Sequence, residues 1–327
     1  MTPSSPNKPK IALLDPGIAS CTYEKEFFEK HGYQFKVFEG NKDDYEAKLS
    51  LATDAEGILI RFTKIGDAFL KQTPQLKAVA RYGVGYDNID LDACTRHGVR
   101  CANVRGYGDH SVSDHALALI FSCMRMVKAG NENIFSHFGT PPAEDIPEIH
   151  QQVLGIVGLG RIGGTLSKKV KALFKEVIAY DPFISDEKFE ESSVKKVSFK
   201  KLLQSSNVIS IHCNLTDASR HLIGGNAFDL MKQRPVLVNT ARGEIIDERA
   251  LLQALEKGKV HSAGLDVFKT EIPQELSEEL VNHPKVVATG HYAWYSDRAQ
   301  KELQKRTADN LLAMLQGQNP EDGLNPF

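Results

Sequence analysis

Short apolar runs recur along this chain, each followed by a segment with helical spacing. Ile11 to Leu14, Phe35 to Phe38, Gly57 to Ile60 and Ala78 to Ala80 read as strands, and Tyr23 to His31 as a helix. Strands this short alternating with helices predict a first α/β unit of about a hundred residues around a parallel sheet. Its first strand ends on Asp15-Pro16-Gly17, with no glycine-rich phosphate turn. A second unit opens near Asn103-Val104-Arg105. Its helix, Ser111 to Met126, is small and apolar around much of its circumference, which predicts burial on several sides, as at a domain or subunit contact. Asn131 to His150, with Pro141, Pro142 and Pro147, reads as an irregular surface segment. Val208 to Ile211, Val236 to Asn239, Ser262 to Leu265 and Val286 to Ala288 read as further strands. Ser296 to Leu315 reads as an amphipathic helix long enough to return to the first unit.

The densest signal lies between Val153 and Asp181. An apolar run, Val153 to Val157, leads into Gly158-Leu159-Gly160-Arg161-Ile162-Gly163; a helical segment follows, then Val177 to Tyr180, ending on Asp181. Strand, glycine turn, helix, strand and acid in this order predict a dinucleotide-binding unit. Gly158 permits the tight turn, Gly160 lets backbone approach a pyrophosphate, and Gly163 lets the helix sit close to the sheet. Free N–H groups at the start of that helix, around Arg161 and Ile162, face the phosphates. Asp181 stands where a carboxylate accepts from ribose hydroxyls and repels a 2′-phosphate, so NAD is favoured over NADP.

Composition narrows the picture. A formal net charge of −2 over 327 residues offers no basic field for nucleic acid or an anionic membrane. Cys21, Cys94, Cys101, Cys123 and Cys213 are scattered and lack C-x-x-C spacing, as expected of reduced thiols in a cytoplasmic protein. Met1 to Lys10 is polar and reads as a frayed terminus without a signal peptide's apolar stretch. The histidines form no ligand-spaced cluster, so no metal is expected. Ligands of doubly wound sheets sit beyond the carboxyl ends of strands. There the chain places His212-Cys213-Asn214, Thr240-Ala241-Arg242, Asp266 and Gly290-His291: a cation, an acid and an imidazole around one crevice.

From about Ile58 to Arg306 these residues resemble the D-isomer-specific 2-hydroxyacid dehydrogenases. Arg81 to Asp90 is similar to that family's substrate loop, Asn239 to Gly243 with Asp247-Glu248 to its arginine motif, Leu265 to Phe268 with Glu271 to its glutamate motif, and His291 to its histidine. The resemblance implies a Rossmann-type NAD-binding domain (105–294) inserted into a flavodoxin-like substrate domain (1–104 and 295–327). It implies NAD-dependent reduction of a small 2-oxo acid to the D-2-hydroxy acid. Arg242 would grip the carboxylate and carbonyl, for which its planar fork is suited. His291 would supply the proton to the carbonyl oxygen, with Glu271 orienting its ring. Val84 and Gly85 would offer backbone N–H groups to the carboxylate. Thr240, Ala241, Asp266 and His291 would lie near the nicotinamide, and Cys213, Asn214, Thr216 and Ser219 along the adenosine and phosphates. Cys213 itself reads as an apolar contact rather than a nucleophile. A homodimer is implied as well.

Within the family, Val208 to Asn214 and His291 to Ser296 look most like the C-terminal-binding-protein branch, which joins a dehydrogenase fold to transcriptional corepression. The alternative reading is therefore an NAD(H)-sensing dimeric scaffold, against which stand the intact Arg242, Glu271 and His291. The chain also departs from the family pattern. Ser113-Asp114-His115 stands where many relatives have glutamate before the histidine of the long helix. Ile272 separates Glu271 from Pro273, and Tyr292-Ala293-Trp294 follows His291 in place of small residues. Trp294 either walls an apolar substituent of the oxo acid or packs at the domain hinge.

Overall fold

The computed structural model describes residues 8–17, 20–136, 138–139, 146–192, 194–270 and 275–326. The chain forms two compact units, Met1–Tyr107 with Ser296–Phe327, and Gly108–Tyr295. These junctions fall at Tyr107/Gly108 and Tyr295/Ser296, where the sequence reading put 104/105 and 294/295.

The first unit holds β1 (Lys10–Leu13), β2 (Gln34–Val37), β3 (Ala55–Ile60), β4 (Ala78–Arg81) and β5 (Arg100–Ala102), ordered β2-β1-β3-β4-β5. Its strand pairs are all parallel, and the order is the flavodoxin-like one. The helix Asp297–Leu315 lies on this sheet, capped by the Ser296 hydroxyl, which accepts from the Ala299 N–H. Gly57 in β3 makes room for it: a Cβ there would come 3.1 Å from the Leu315 side chain.

The second unit holds β6 (Val153–Val157), β7 (Glu176–Tyr180), β8 (Lys195–Lys196), β9 (Val208–Ile211), β10 (Val236–Asn239), β11 (Ser262–Leu265) and β12 (Val286–Ala288). Their order is β12-β11-β10-β9-β6-β7-β8, again parallel throughout, with the winding reversing between β6 and β9. Every residue of β9, β10 and β11 is buried, because helices cover both faces. Leu202, Phe228 and Leu251 pack on one face, Ile120 and Leu166 on the other. The apolar character of the helix Asp109–Met124 is thus largely spent inside this unit: Ala116, Leu119, Ile120, Cys123 and Met124 belong to its core. Of the segment read as irregular, Asn131 and Glu132 complete the helix Val127–Glu132, and His150 sits in the short helical turn Ile149–Gln151. Pro141 and Pro142 lie outside the described residues. No described helix is long and apolar enough to cross a membrane.

One buried polar group organises the first unit. The Asp15 carboxylate, past the end of β1, accepts the N–H groups of Arg61, Phe62 and Thr63, the Thr63 hydroxyl and the Lys48 ammonium at 2.7–2.8 Å. Burial by itself would raise this carboxyl, but the bonds from Lys48, Thr63, Arg61 and Phe62 outweigh it and hold the group below its usual value. Its stabilising contribution is therefore complete above the usual 3.8 and lost as pH falls through the lower folded-state value. Replacing Asp15 by Asn strands the Lys48 charge and is expected to cost about 3 kcal/mol at neutral pH in denaturant unfolding. The deficit shrinks in acid and is largely relieved by adding Lys48→Met. A deficit independent of pH contradicts this account.

Candidate active site

The glycine turn sits at the switch point of the second sheet, between the ends of β6 and β9. A Cβ on Gly158, whose φ is +90°, would strike the Cys213 nitrogen at 2.6 Å, so glycine is needed for the β6 turn to touch the β9 exit. A Cβ on Gly163 would fall 2.1 Å from the Gly158 carbonyl oxygen, so the first helical turn folds against its own loop. Gly160 differs: a Cβ there would meet nothing within 4 Å. No protein packing demands this glycine, and the backbone stays approachable where the helix Arg161–Val170 begins. That helix has no side-chain cap, so its first N–H groups are donors without an internal acceptor. Arg161 pairs with Asp109 at 3.2 Å, and Ile162 stands beside it in the same first turn.

Asp181 follows β7. One carboxylate oxygen accepts the Leu159 N–H and the other the Phe183 N–H, both at 2.9 Å. A carboxylate has about four acceptor sites, so two remain for hydroxyls. These features fit a dinucleotide: uncapped donors for a pyrophosphate and a partly engaged acid at ribose distance in sequence. Beyond β9, burial pushes the Cys213 thiol up to about 11 and the His212 imidazole down to about 4. Both are neutral near pH 7, in keeping with an apolar role for Cys213. The Ser219 hydroxyl accepts the Thr216 N–H at 2.8 Å and donates to the Asn214 carbonyl at 2.7 Å, so these residues shape their own turn. The Thr240 hydroxyl is buried without a hydrogen-bond partner among the described residues, a polar group left over for a ligand.

The arginine turn follows β10. Asn239, wholly buried, accepts the Ala241 N–H and donates to the Arg242 carbonyl, fixing Thr240 to Arg242 as one piece. The Arg242 guanidinium donates to the Ala241 carbonyl at 2.8 Å. Gly243 permits the loop after β11 to pass, since a Cβ there would fall 2.0 Å from the Phe268 backbone. Glu248 fastens that loop by accepting the Lys269 N–H at 2.6 Å and the Ser277 hydroxyl at 2.9 Å. Glu271 itself lies outside the described residues.

His291 follows β12 with a φ of +54°, the left-handed region that a non-glycine residue occupies at a cost of about 1–3 kcal/mol. Asp266, 1% exposed, holds it there. The Asp266 carbonyl accepts the His291 N–H at 2.7 Å, and its carboxylate accepts the Tyr292 and Ala293 N–H groups at 3.2 and 2.9 Å. The Trp294 indole N–H donates to the His291 carbonyl at 3.1 Å. Through this contact Trp294 braces the backbone of the histidine.

Paired residues place these turns on one edge. Val157, Ile211, Asn239, Leu265 and Ala288 end adjacent parallel strands, so the glycine turn, Arg242, Asp266 and His291 all emerge at the carboxyl side of one sheet. Arg242 and His291 leave strands two apart, about 10 Å at the backbone. Val84 and Gly85 belong to the first unit. There the Gly83 and Val84 carbonyls accept from the Val104 N–H and the Asn103 amide, while the Val84 and Gly85 N–H groups make no hydrogen bond among the described residues. In the sequence, Asn239 and Glu248 stand out only as members of the arginine motif, and Thr289 not at all. No local pattern distinguishes such polar residues at a strand end, a helix start or in a loop before their distant partners are known. Among the described residues, no cluster of His, Cys, Asp or Glu has the arrangement of a metal site.

Residues 117–293 match the family model for the D-isomer specific 2-hydroxyacid dehydrogenase NAD binding domain. The chain is 36% identical over 263 residues to D-3-phosphoglycerate dehydrogenase of Bacillus subtilis, covering 80% of this chain and 50% of that one. It thus spans about half the length of the curated relatives of that kind. To glyoxylate/hydroxypyruvate reductase B of Serratia proteamaculans it is 33% identical, over 98% of both chains. Among solved structures, D-lactate dehydrogenase from Aquifex aeolicus, complexed with NAD and lactic acid, superposes with a TM-score of 0.84 at 26% identity, covering 94% of this chain and 96% of that one. The chain belongs to the D-isomer specific 2-hydroxyacid dehydrogenase family.

Proposed function

We propose that this protein is an NAD-dependent dehydrogenase interconverting a small 2-oxo acid and its D-2-hydroxy acid. The observation that supports this most is the strained His291, clamped by Asp266 on the same sheet edge as Arg242 and the glycine turn. The uncapped helix start, Gly160, Asp181 and the Thr240 hydroxyl would hold the dinucleotide, with Arg161, Ile162, Gly163, Cys213, Asn214, Thr216, Ser219 and Ala241 along it. When bound, NADH supplies the hydride to the carbonyl carbon. Arg242 binds the substrate carboxylate and draws electron density toward the carbonyl oxygen. The Val84 and Gly85 N–H groups are further donors for that carboxylate. His291 gives its proton to the oxygen as the C–H bond forms and takes it back in the oxidative direction. Glu271 orients the ring. Trp294, its N–H committed to the His291 carbonyl, offers its ring faces to the substrate's side chain.

We further infer a cytoplasmic homodimer. The five free cysteines support a reducing compartment. Phe135 and Phe138, shortly after the helix Val127–Glu132, are 102% and 86% exposed, and aromatic side chains left in water favour a contact with a second copy. Sedimentation is expected to show a dimer for the chain and a shift toward monomer for Phe135→Asp/Phe138→Asp; a monomeric parent chain contradicts the dimer.

Activity is tested by steady-state oxidation of NADH and NADPH against glyoxylate, hydroxypyruvate, pyruvate and bulkier 2-oxo acids. NADH is expected to be preferred. His291→Gln is expected to lower kcat about 100-fold or more, and Arg242→Ala to lower kcat/KM by a similar or larger factor. Absence of turnover with every oxo acid, or full activity in either variant, overturns the proposal.

A further inference from the structure

A polar chain behind His291 plays no part in the reaction as described above. The Thr289 hydroxyl donates to Asp266 Oδ1 at 2.6 Å, having one proton to give. The His115 Nε2 lies 2.9 Å from that same hydroxyl oxygen. With the hydroxyl proton already committed, the oxygen accepts, so Nε2 carries a proton and donates. His115 Nε2 also stands 3.6 Å from Asp266 Oδ1, and its ring meets Tyr292 edge-on, with centroids 5.2 Å apart. His115 comes from the helix Asp109–Met124, Thr289 from the exit of β12, and Asp266 from the exit of β11. Three elements therefore converge on the one carboxylate that holds the His291 turn.

We propose that His115 and Thr289 are positioning residues for His291: through the Asp266 carboxylate and Tyr292 they keep His291 in its left-handed conformation with the ring aimed at the substrate. The proposal rests on the reading of His291 as the proton donor. The carboxylate has to point Oδ2 at the Ala293 N–H while Oδ1 still serves Tyr292. The Thr289 hydroxyl fixes that rotation by a short charge-assisted bond, and His115 fixes the hydroxyl. Without either, the carboxylate is free to turn, the Tyr292 and Ala293 amides lose their acceptor, and His291 relaxes toward an ordinary φ. Neither residue needs to touch substrate or cofactor. The histidine of the long helix is thereby given a task, and the aromatic residue after His291 becomes a wall for its ring.

The test uses the full chain with Thr289→Val, Thr289→Ser and His115→Phe, the last keeping an aromatic edge against Tyr292 while removing the donor. Three quantities are read: kcat for oxo acid reduction, the NADH Kd by fluorescence, and the His291 Cε1–H resonance, assigned with His291→Gln. Thr289→Val and His115→Phe are expected to lower kcat about 10- to 100-fold, since a misplacement of about 1 Å has that effect. The NADH Kd stays within about twofold and Thr289→Ser restores most of kcat, a split that general loss of structure does not produce. The His291 resonance shifts or broadens in the Val and Phe variants and returns in the Ser variant. Unchanged kcat in both, a parallel loss of NADH affinity, or no recovery with serine overturns the proposal. If the parent chain reduces no oxo acid, the activity reading falls. The resonance then decides positioning by itself, and an unmoved His291 signal in both variants overturns it.

Discussion

The second unit depends on a single buried carboxylate. Asp266 follows β11, 1% exposed, and its two oxygens and its carbonyl serve Thr289, His291, Tyr292 and Ala293. An ionised group so deeply placed is tolerated only when its acceptor sites are filled. Here the groups that fill them belong to the turn carrying the imidazole. The requirement that the charge be satisfied and the requirement that the histidine be held are therefore one constraint. It also explains why a β-carbon-bearing residue adopts φ +54° at His291: the bonds around it exceed the strain.

The same economy appears at the glycine turn. Gly158 and Gly163 are required by the protein's own packing, since a methyl on either would overlap backbone atoms, whereas Gly160 is not. A motif often treated as one ligand-binding signal thus divides into two structural positions and one that leaves room at a helix start. The arginine turn follows a similar logic. Asn239 and Gly243 set its path, and Glu248 secures the neighbouring loop, before Arg242 does anything chemical.

Much of this was legible in the chain. The alternation of short apolar runs and helices marked both parallel sheets, and the strand, glycine turn, strand and acid between Val153 and Asp181 appear as β6, the helix Arg161–Val170 and β7. Two strands were not legible. β5 has only three residues and opens on an arginine, and β8 is two lysines at a sheet edge, where charge suits an exposed rim but leaves no apolar pattern. The braces around the site escaped for another reason. Thr289 is an ordinary polar residue in a loop and Glu248 one at the start of the helix Glu248–Glu256, and their partners lie elsewhere in the sequence: His115 is 174 positions from Thr289. A single sequence encodes that pairing only through the fold. Trp294 illustrates the same limit, since an indole donating to the backbone of the residue three before it looks like any aromatic near a hinge.

A crystal structure of the chain with NADH and oxamate, a non-reducible mimic of a 2-oxo acid, tests the central claim most directly. The account predicts the oxamate amide carbonyl oxygen about 2.6–3.2 Å from the His291 ring, its carboxylate on the Arg242 guanidinium, and His291 still left-handed with Asp266 holding the Tyr292 and Ala293 amides. Oxamate bound away from both side chains, or His291 released to an ordinary backbone conformation with the ligand in place, would contradict it.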